Sequence, residues 1–170
     1  MAAGGSRIAV QVRAPGAGPD IHAQAVMALW PSARAHDVTL FVGTHVEVAM
    51  RFGIGVHLSE RAPEIAAVRA VHAGPIAVSC HDAAGLHRRD GADFAVLGPV
   101  GEVPDKGPPL GWGAFAALAG AAPMPVYALG GIAGPDDVRL ARAHGARGVA
   151  VMRAVSGPDA VERLQALLSA

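Results

Sequence analysis

Phe94-Ala95-Val96-Leu97-Gly98-Pro99-Val100, and then Val126-Tyr127-Ala128-Leu129-Gly130-Gly131-Ile132, decide the fold. Each is a short apolar run, too brief for a helix, that halts at a glycine, followed by proline in one case and a second glycine in the other; each reads as a buried strand. Between them the stretch Gly101 to Leu110 is polar and rich in glycine and proline. It carries Lys106, the single lysine of a chain whose other basic residues are arginines. A strand ending in Gly-Pro, a loop with a solitary ammonium, and a strand ending in Gly-Gly are the parts of a phosphate pocket.

Outward from this pair the pattern repeats. Strands are expected at Ile8–Arg13, Thr39–Thr44, Gly55–Leu58, Ile76–His81, Phe94–Gly98, Val126–Leu129 and Gly148–Met152. Helices are expected between them at Asp20–Ala35, Val46–Phe52, Pro63–Ala73, Ala83–Asp90, Trp112–Gly120, Pro135–His144 and Pro158–Leu168. Gly134-Pro135-Asp136-Asp137 and Gly157-Pro158-Asp159 place proline at a first helical position and acids in the first turn. Gly53, Gly74, Gly91 and Gly145 stand where helices should stop.

Strict β–α alternation implies right-handed crossovers and a parallel sheet. An open doubly wound sheet would show a dinucleotide fingerprint after its first strand, and Ala14-Pro15-Gly16-Ala17-Gly18 does not supply one. A (β/α) TIM-type barrel places polar residues at the C-terminal ends of its strands. Gln11, Arg13, Thr44, His45, His57, Ser59, Ser79, His81, Gly98, Gly130 and Gly131 fall there. Seven strands are recognisable where a barrel has eight, so the first β–α unit is read as missing. The parallel edge this leaves is expected to be covered by the N-terminal tail, by a partner copy in a homo-oligomer, or by exchanged elements.

At 170 residues the chain reads as a single domain, 1–170, with a formal net charge of zero. A neutral balance argues against a nucleic-acid binder. No apolar run reaches the roughly 18–20 residues of a membrane helix. Met1–Ser6 contains no signal-peptide core, and one cysteine, Cys80, leaves no intrachain disulfide. These features lead to the expectation of a cytoplasmic protein.

Strand alternation puts Ala77, Ser79 and His81 on one face and Ile76, Val78 and Cys80 on the other. An imidazole at a barrel rim can move protons near neutral pH, so His81 is the leading catalytic candidate. His57 has the same inward claim, against the alternative of a polar plug in the barrel. His45, His57 and His81 end three strands, but no acid accompanies them at metal-ligand spacing, so no metal site is assigned. Arg13, beside Gln11, is a natural fork for phosphate or carboxylate, or half of a rim ion pair. Gly130-Gly131, together with Met152 and Arg153 after the last strand, occupy the usual barrel phosphate position, with Lys106 as a mobile cation.

In order, Gln11-Val12-Arg13, Gly55-Val56-His57-Leu58, Val78-Ser79-Cys80-His81, Gly91-Ala92-Asp93-Phe94, Gly98-Pro99-Val100, Pro109-Leu110-Gly111, Leu129-Gly130-Gly131-Ile132 and Gly148-Val149-Ala150-Val151-Met152 resemble the thiamine-phosphate synthase/TenI family. The likeness runs from about Gln11 to about Val155. It implies a (β/α) barrel that binds a small phosphorylated heterocycle. Synthase members join a pyrimidine pyrophosphate to a thiazole phosphate using magnesium; TenI members isomerise a thiazole carboxylate phosphate by proton transfer. The resemblance also implies where the synthase metal ligands would stand. Its Asn-Asp pair is here Gly43-Thr44, its second aspartate falls in Ser59-Glu60-Arg61-Ala62, and its Glu-Lys pair after Arg13 is Ala14-Pro15. The serine it places after the last strand is Arg153. His81 stands where TenI members keep their tautomerising histidine. A metal-free, TenI-like thiazole tautomerase with no cofactor is therefore the first expectation. The alternatives are a magnesium-dependent synthase using Glu60 or His45, and a non-catalytic binding or regulatory protein.

Overall fold

The computed structural model describes residues 8–170. Seven strands alternate with seven α-helices: β1 Ala9–Val12, α1 Pro19–Ala35, β2 Thr39–Gly43, α2 Val46–Phe52, β3 Gly55–Leu58, α3 Ile65–Arg69, β4 Ile76–Cys80, α4 Ala83–Arg88, β5 Phe94–Leu97, α5 Gly111–Ala121, β6 Val126–Leu129, α6 Pro135–Ala143, β7 Gly148–Ala150 and α7 Ala160–Leu168, with a 3-10 turn at Arg153–Val155. Strand order in the sheet follows the chain. Strand–helix alternation in chain order is the (β/α) barrel pattern read from the sequence. No helix among the described residues is long and apolar enough to cross a membrane.

The expected elements are present, several with shorter ends. β4 stops at Cys80, so His81 lies one residue past the strand. β7 stops at Ala150, which leaves Met152 and Arg153 outside it. The helix expected at Pro63–Ala73 is only Ile65–Arg69. Glu64 is extended before it, and beyond it the Arg69 guanidinium donates to the Gly74 carbonyl at 2.8 Å, so a side chain and not a glycine stop organises the turn.

The chain forms two compact units, one ending at Val78 and the other running from Ser79 to Ala170. In the first, β1 to β4 pair in parallel, with Gln11 opposite Phe41, Gly43 opposite His57, and His57 opposite Ala77. Val26, Val42, Val56, Leu58, Ile76 and Val78 are fully buried. β2 to β4 read as near-continuous apolar runs because both their faces are covered. Phe41 crosses onto Gly55, where a Cβ would sit 2.4 Å from the ring. β1 differs: Ala9, Val10 and Gln11 are exposed and only Val12 is buried. Cover for β1 by the N-terminal tail would fall on residues 1–7, outside the described residues.

In the second unit β5, β6 and β7 pair in parallel, with Val96 opposite Tyr127 and Leu129 opposite Ala150. Leu97, Ala95, Ala128, Cys80 and Phe115 form its buried centre. Trp112 meets Phe115 edge-on at 5.7 Å. Asp82 caps α4, its carboxylate accepting from the Gly85 amide at 2.6 Å.

Candidate functional site

The sequence-predicted residues fall into two groups, one in each unit. In the first unit Gln11 and Arg13 flank buried Val12, so alternation sends both to the same face, and both are exposed. A Cβ on Gly43 would lie 3.2 Å from Gln11 Nε2, which places the carboxamide against the end of β2. Gly43 is in turn the register partner of His57. The His57 pKa is lowered from the ordinary 6.5 to about 4, first by burial and then by the positive charge of Arg13. At neutral pH His57 is therefore an uncharged hydrogen-bonding ring beside a guanidinium. It is not a resting cation.

Two features of this group were not visible in the sequence. His22 on α1 is buried; its Nδ1 donates to the Gly18 carbonyl at 3.0 Å and its Nε2 accepts from the Ala14 amide at 3.1 Å. It thus ties the β1–α1 loop shut with both ring nitrogens in use. His45 packs tilted against it, centroids 4.4 Å apart, with its own Nδ1 3.3 Å from the Glu47 carboxylate. The burial of His22 with Ala23 and Val26 follows the helical period and was the available signal. The second feature is Thr44. It has φ +67°, and the His45 amide bonds back to the Gly43 carbonyl at 2.8 Å across it.

The carboxylates that the resemblance implies as magnesium ligands are missing at the end of β2, where Gly43 and Thr44 stand, and among the described residues no three His, Cys, Asp or Glu side chains converge as a metal site. Magnesium is commonly held by only one or two carboxylates together with substrate phosphates, so these residues would supply at most part of its shell.

In the second unit His81 Nδ1 donates to the Gly98 carbonyl at 2.6 Å. A carbonyl can only accept, so the proton sits on Nδ1 and Nε2 is left as the basic nitrogen. Gly98 is buried at the end of β5, and a Cβ there would come within 2.1 Å of the Leu129 carbonyl oxygen. The same backbone-to-backbone fit continues along the loop. The Val100 amide donates to Leu129 at 2.8 Å and the Gly101 amide to Gly130 at 3.1 Å. Gly130 and Gly131 hold φ of +93° and +74° while pressed on Pro99 and Gly101, where added Cβ atoms would come within 2.6 Å. The Gly-Pro and Gly-Gly strand ends are thus one interlock, and His81 is hung from it.

The 99–110 loop is closed at its base, Leu110 donating to Pro99 at 2.9 Å and Gly111 to Val100 at 3.1 Å. Its tip forms an open concavity lined by Glu102, Val103, Pro104, Lys106, Gly107, Pro108 and Pro109. Lys106 is exposed there. After β7, Met152 and Arg153 are exposed, and Arg153 opens the 3-10 turn, the kind of short extra helix that lines a barrel phosphate site. The Ala133 and Gly134 amides at the start of α6 donate to the Asp137 carboxylate at 2.8 and 3.0 Å. Ser79, on β4, is half-buried.

The chain as a whole is similar to known proteins. The profile of the thiamine monophosphate synthase family (TMP-TENI) matches residues 1–155. A putative thiamine-phosphate synthase of Geobacter sulfurreducens is 38% identical over 139 residues, 76% of this chain and 65% of that protein. A thiamine-phosphate synthase of Laribacter hongkongensis is 36% identical over 172 residues, 95% of this chain and 80% of that protein. Among solved structures, a thiamine phosphate pyrophosphorylase from Pyrococcus furiosus superposes with a TM-score of 0.85 at 25% identity, covering 97% of this chain and 83% of that one. The chain thus spans just under two thirds of the length of the Geobacter relative.

Proposed function

The chain belongs to the thiamine monophosphate synthase family, and on that premise we propose that it takes a phosphorylated thiazole as ligand and joins it to a pyrimidine pyrophosphate. The profile match across residues 1–155 carries this reading, together with the thiamine-phosphate synthases among its relatives. It reverses the order of the expectations from the sequence, in which tautomerisation came first. In coupling, a carbon–nitrogen bond forms at the thiazole ring and the carbon–oxygen bond to pyrophosphate breaks. The cations this chain brings to such anions are the Arg13 guanidinium in the first unit and the exposed Lys106 and Arg153 in the second. No step is assigned to a metal ion.

A second reading, proton transfer within a thiazole carboxylate phosphate, is favoured by one observation: the 2.6 Å bond from His81 to Gly98 that leaves Nε2 basic. Such a group within reach of a carbon acid contributes about 100-fold or more to rate.

Both readings are separated by assaying the purified chain twice. Thiamine phosphate formed from thiazole phosphate and pyrimidine pyrophosphate supports coupling. If no product forms, while the tautomer is turned over in chelator and His81→Ala slows that turnover at least about 100-fold, proton transfer replaces it. If neither substrate set is turned over yet thiazole phosphate still binds, the chain is a binding protein.

A further inference from the structure

β1 stands at one end of the sheet order. It pairs with β2 on one side, and among the described residues no strand pairs with its other side. Edge strands are usually blunted by charge, proline or a bulge. Ala9-Val10-Gln11-Val12 carries no charge and no proline, its register with β2 runs without a bulge, and its first three residues are exposed.

The helix above continues this bare edge. α1 packs on β1 and β2, and on α2 beside it, where the Trp30 and Phe52 ring centroids are 6.1 Å apart. His22, Val26 and Ala33 are its buried residues. At 3.6 residues per turn, Ile21, Ala25, Ala28, Leu29 and Ser32 fall together on the flank turned away from Trp30. Ile21 is 51% exposed and Leu29 42%, and Val10 on the strand is 38% exposed. The charged residues of α1, Asp20 and Arg34, lie off this flank.

The geometry fits a second copy of the same chain. Neighbouring strands stand about 4.8 Å apart, so a two-fold axis normal to the sheet at this edge pairs β1 antiparallel with its copy. α1 lies over β1 and β2, about one strand spacing in from that axis. The same rotation therefore sets α1 antiparallel to its copy at about 10 Å, a separation at which helices pack. Antiparallel reversal places Leu29 against Ala25 and Ile21 against Ser32 across the axis, large side chains against small ones. A surface without charge also meets its own copy without like-charge repulsion.

We propose that the β1 edge and this flank of α1 form an isologous interface with a second copy of the chain, the sheet of the first unit running on through an antiparallel β1–β1 junction. One helix flank and one strand of four residues make an interface at the low end of specific contacts, so association in the micromolar range is expected. The inference does not depend on which reaction the chain performs.

The test is sedimentation of the full chain over a concentration series, with three variants at exposed positions. Val10→Lys places an ammonium on the edge, and Leu29→Glu places a carboxylate in the helix seam. Met27→Glu makes the same kind of change at an exposed position of α1 off the flank. The expected result is a monomer–dimer equilibrium that Val10→Lys and Leu29→Glu each weaken about 100-fold or more and Met27→Glu leaves unchanged. Hydrogen exchange of the Ala9–Val12 amides should slow as the wild-type chain is concentrated, and this measurement decides the matter alone where a variant fails to fold. A wild-type chain that stays monomeric up to about 100 µM overturns the proposal. So does a dimer that both flank variants leave intact, or one whose β1 amides exchange at the same rate at every concentration, because its interface then lies elsewhere.

Discussion

Gly55 in the first unit and Gly98 in the second both sit where a single methyl group would overfill the space, but different atoms press on them. At Gly55 the neighbour is the Phe41 ring, 2.4 Å from where a Cβ would stand. At Gly98 it is the Leu129 backbone carbonyl, 2.1 Å away. A ring can rotate or tilt about its χ angles, whereas a carbonyl in a strand end moves only if the sheet moves with it. The first unit therefore uses glycine to pack a side chain, and the second uses it to lock two loops together. The histidines follow the same division. His57 is held neutral by burial and by Arg13. His81 is aimed by a bond to the locked backbone. The second unit is built to fix the position of a group, and the first to set its charge.

The strongest break of this contrast is Gly98→Ala. Overpacking a core typically costs about 1–3 kcal/mol and occasionally more. Because the clash here is with backbone, the loss should lie at or above about 3 kcal/mol, read as a shift in the urea midpoint. Any turnover that depends on His81 should fall with it, since Gly98 supplies the carbonyl that orients the ring. A cost below about 1 kcal/mol would mean that the strand ends slide freely and that the interlock positions nothing.

Gly55→Ala should cost less, about 1–2 kcal/mol, because the Phe41 ring can yield. The sharper measurement is the double variant. Phe41→Leu alone loses buried area, yet combined with Gly55→Ala it should recover part of the loss, with a coupling of about 0.5 kcal/mol or more. Strict additivity would show that the ring and the glycine do not share one space.

The elements were readable in the sequence where local pattern and tertiary demand agree. β3 at Gly55–Leu58, β6 at Val126–Leu129 and α2 at Val46–Phe52 match their expected bounds because each apolar run is punctuated by glycine at one end: Gly55 opens β3, Gly130 follows β6 and Gly53 follows α2. Gly53 at φ +63° is the left-handed stop that its position announced. What escaped depends on contacts distant in sequence. Nothing around Gly98 says that residue 129 will press on it, and nothing around Thr44 says that its backbone will be left-handed. Sequence period places Gln11, Arg13 and His57 at strand ends but is silent on which of them stays neutral. Sequence alone makes the Gly-Gly pair a candidate phosphate cradle; what the structure shows is that both glycines are required by packing against Pro99 and Gly101.

The effect most specific to the first unit is the pH dependence that His57 gives to stability. Its pKa is about 4 when folded and 6.5 in an unfolded chain. Between those values the unfolded state binds the proton and the folded state does not, so unfolding is favoured by acid there. The contribution is fully present above about pH 6.5, is lost progressively as pH falls towards 4, and changes no further below that. Replacing His57 with glutamine removes the titrating ring while keeping a hydrogen-bonding side chain. The difference between wild-type and His57→Gln urea midpoints should therefore narrow or reverse as pH drops from 7 to 4.5, with a limiting slope of about 1.4 kcal/mol per pH unit. Arg13→Gln should shrink the total change only in part, because burial is the larger cause and Arg13 the smaller. Parallel wild-type and His57→Gln curves across this range would mean that the ring is as free to protonate as in water, and the division between a charge-setting first unit and a position-fixing second unit would fail on its first-unit side.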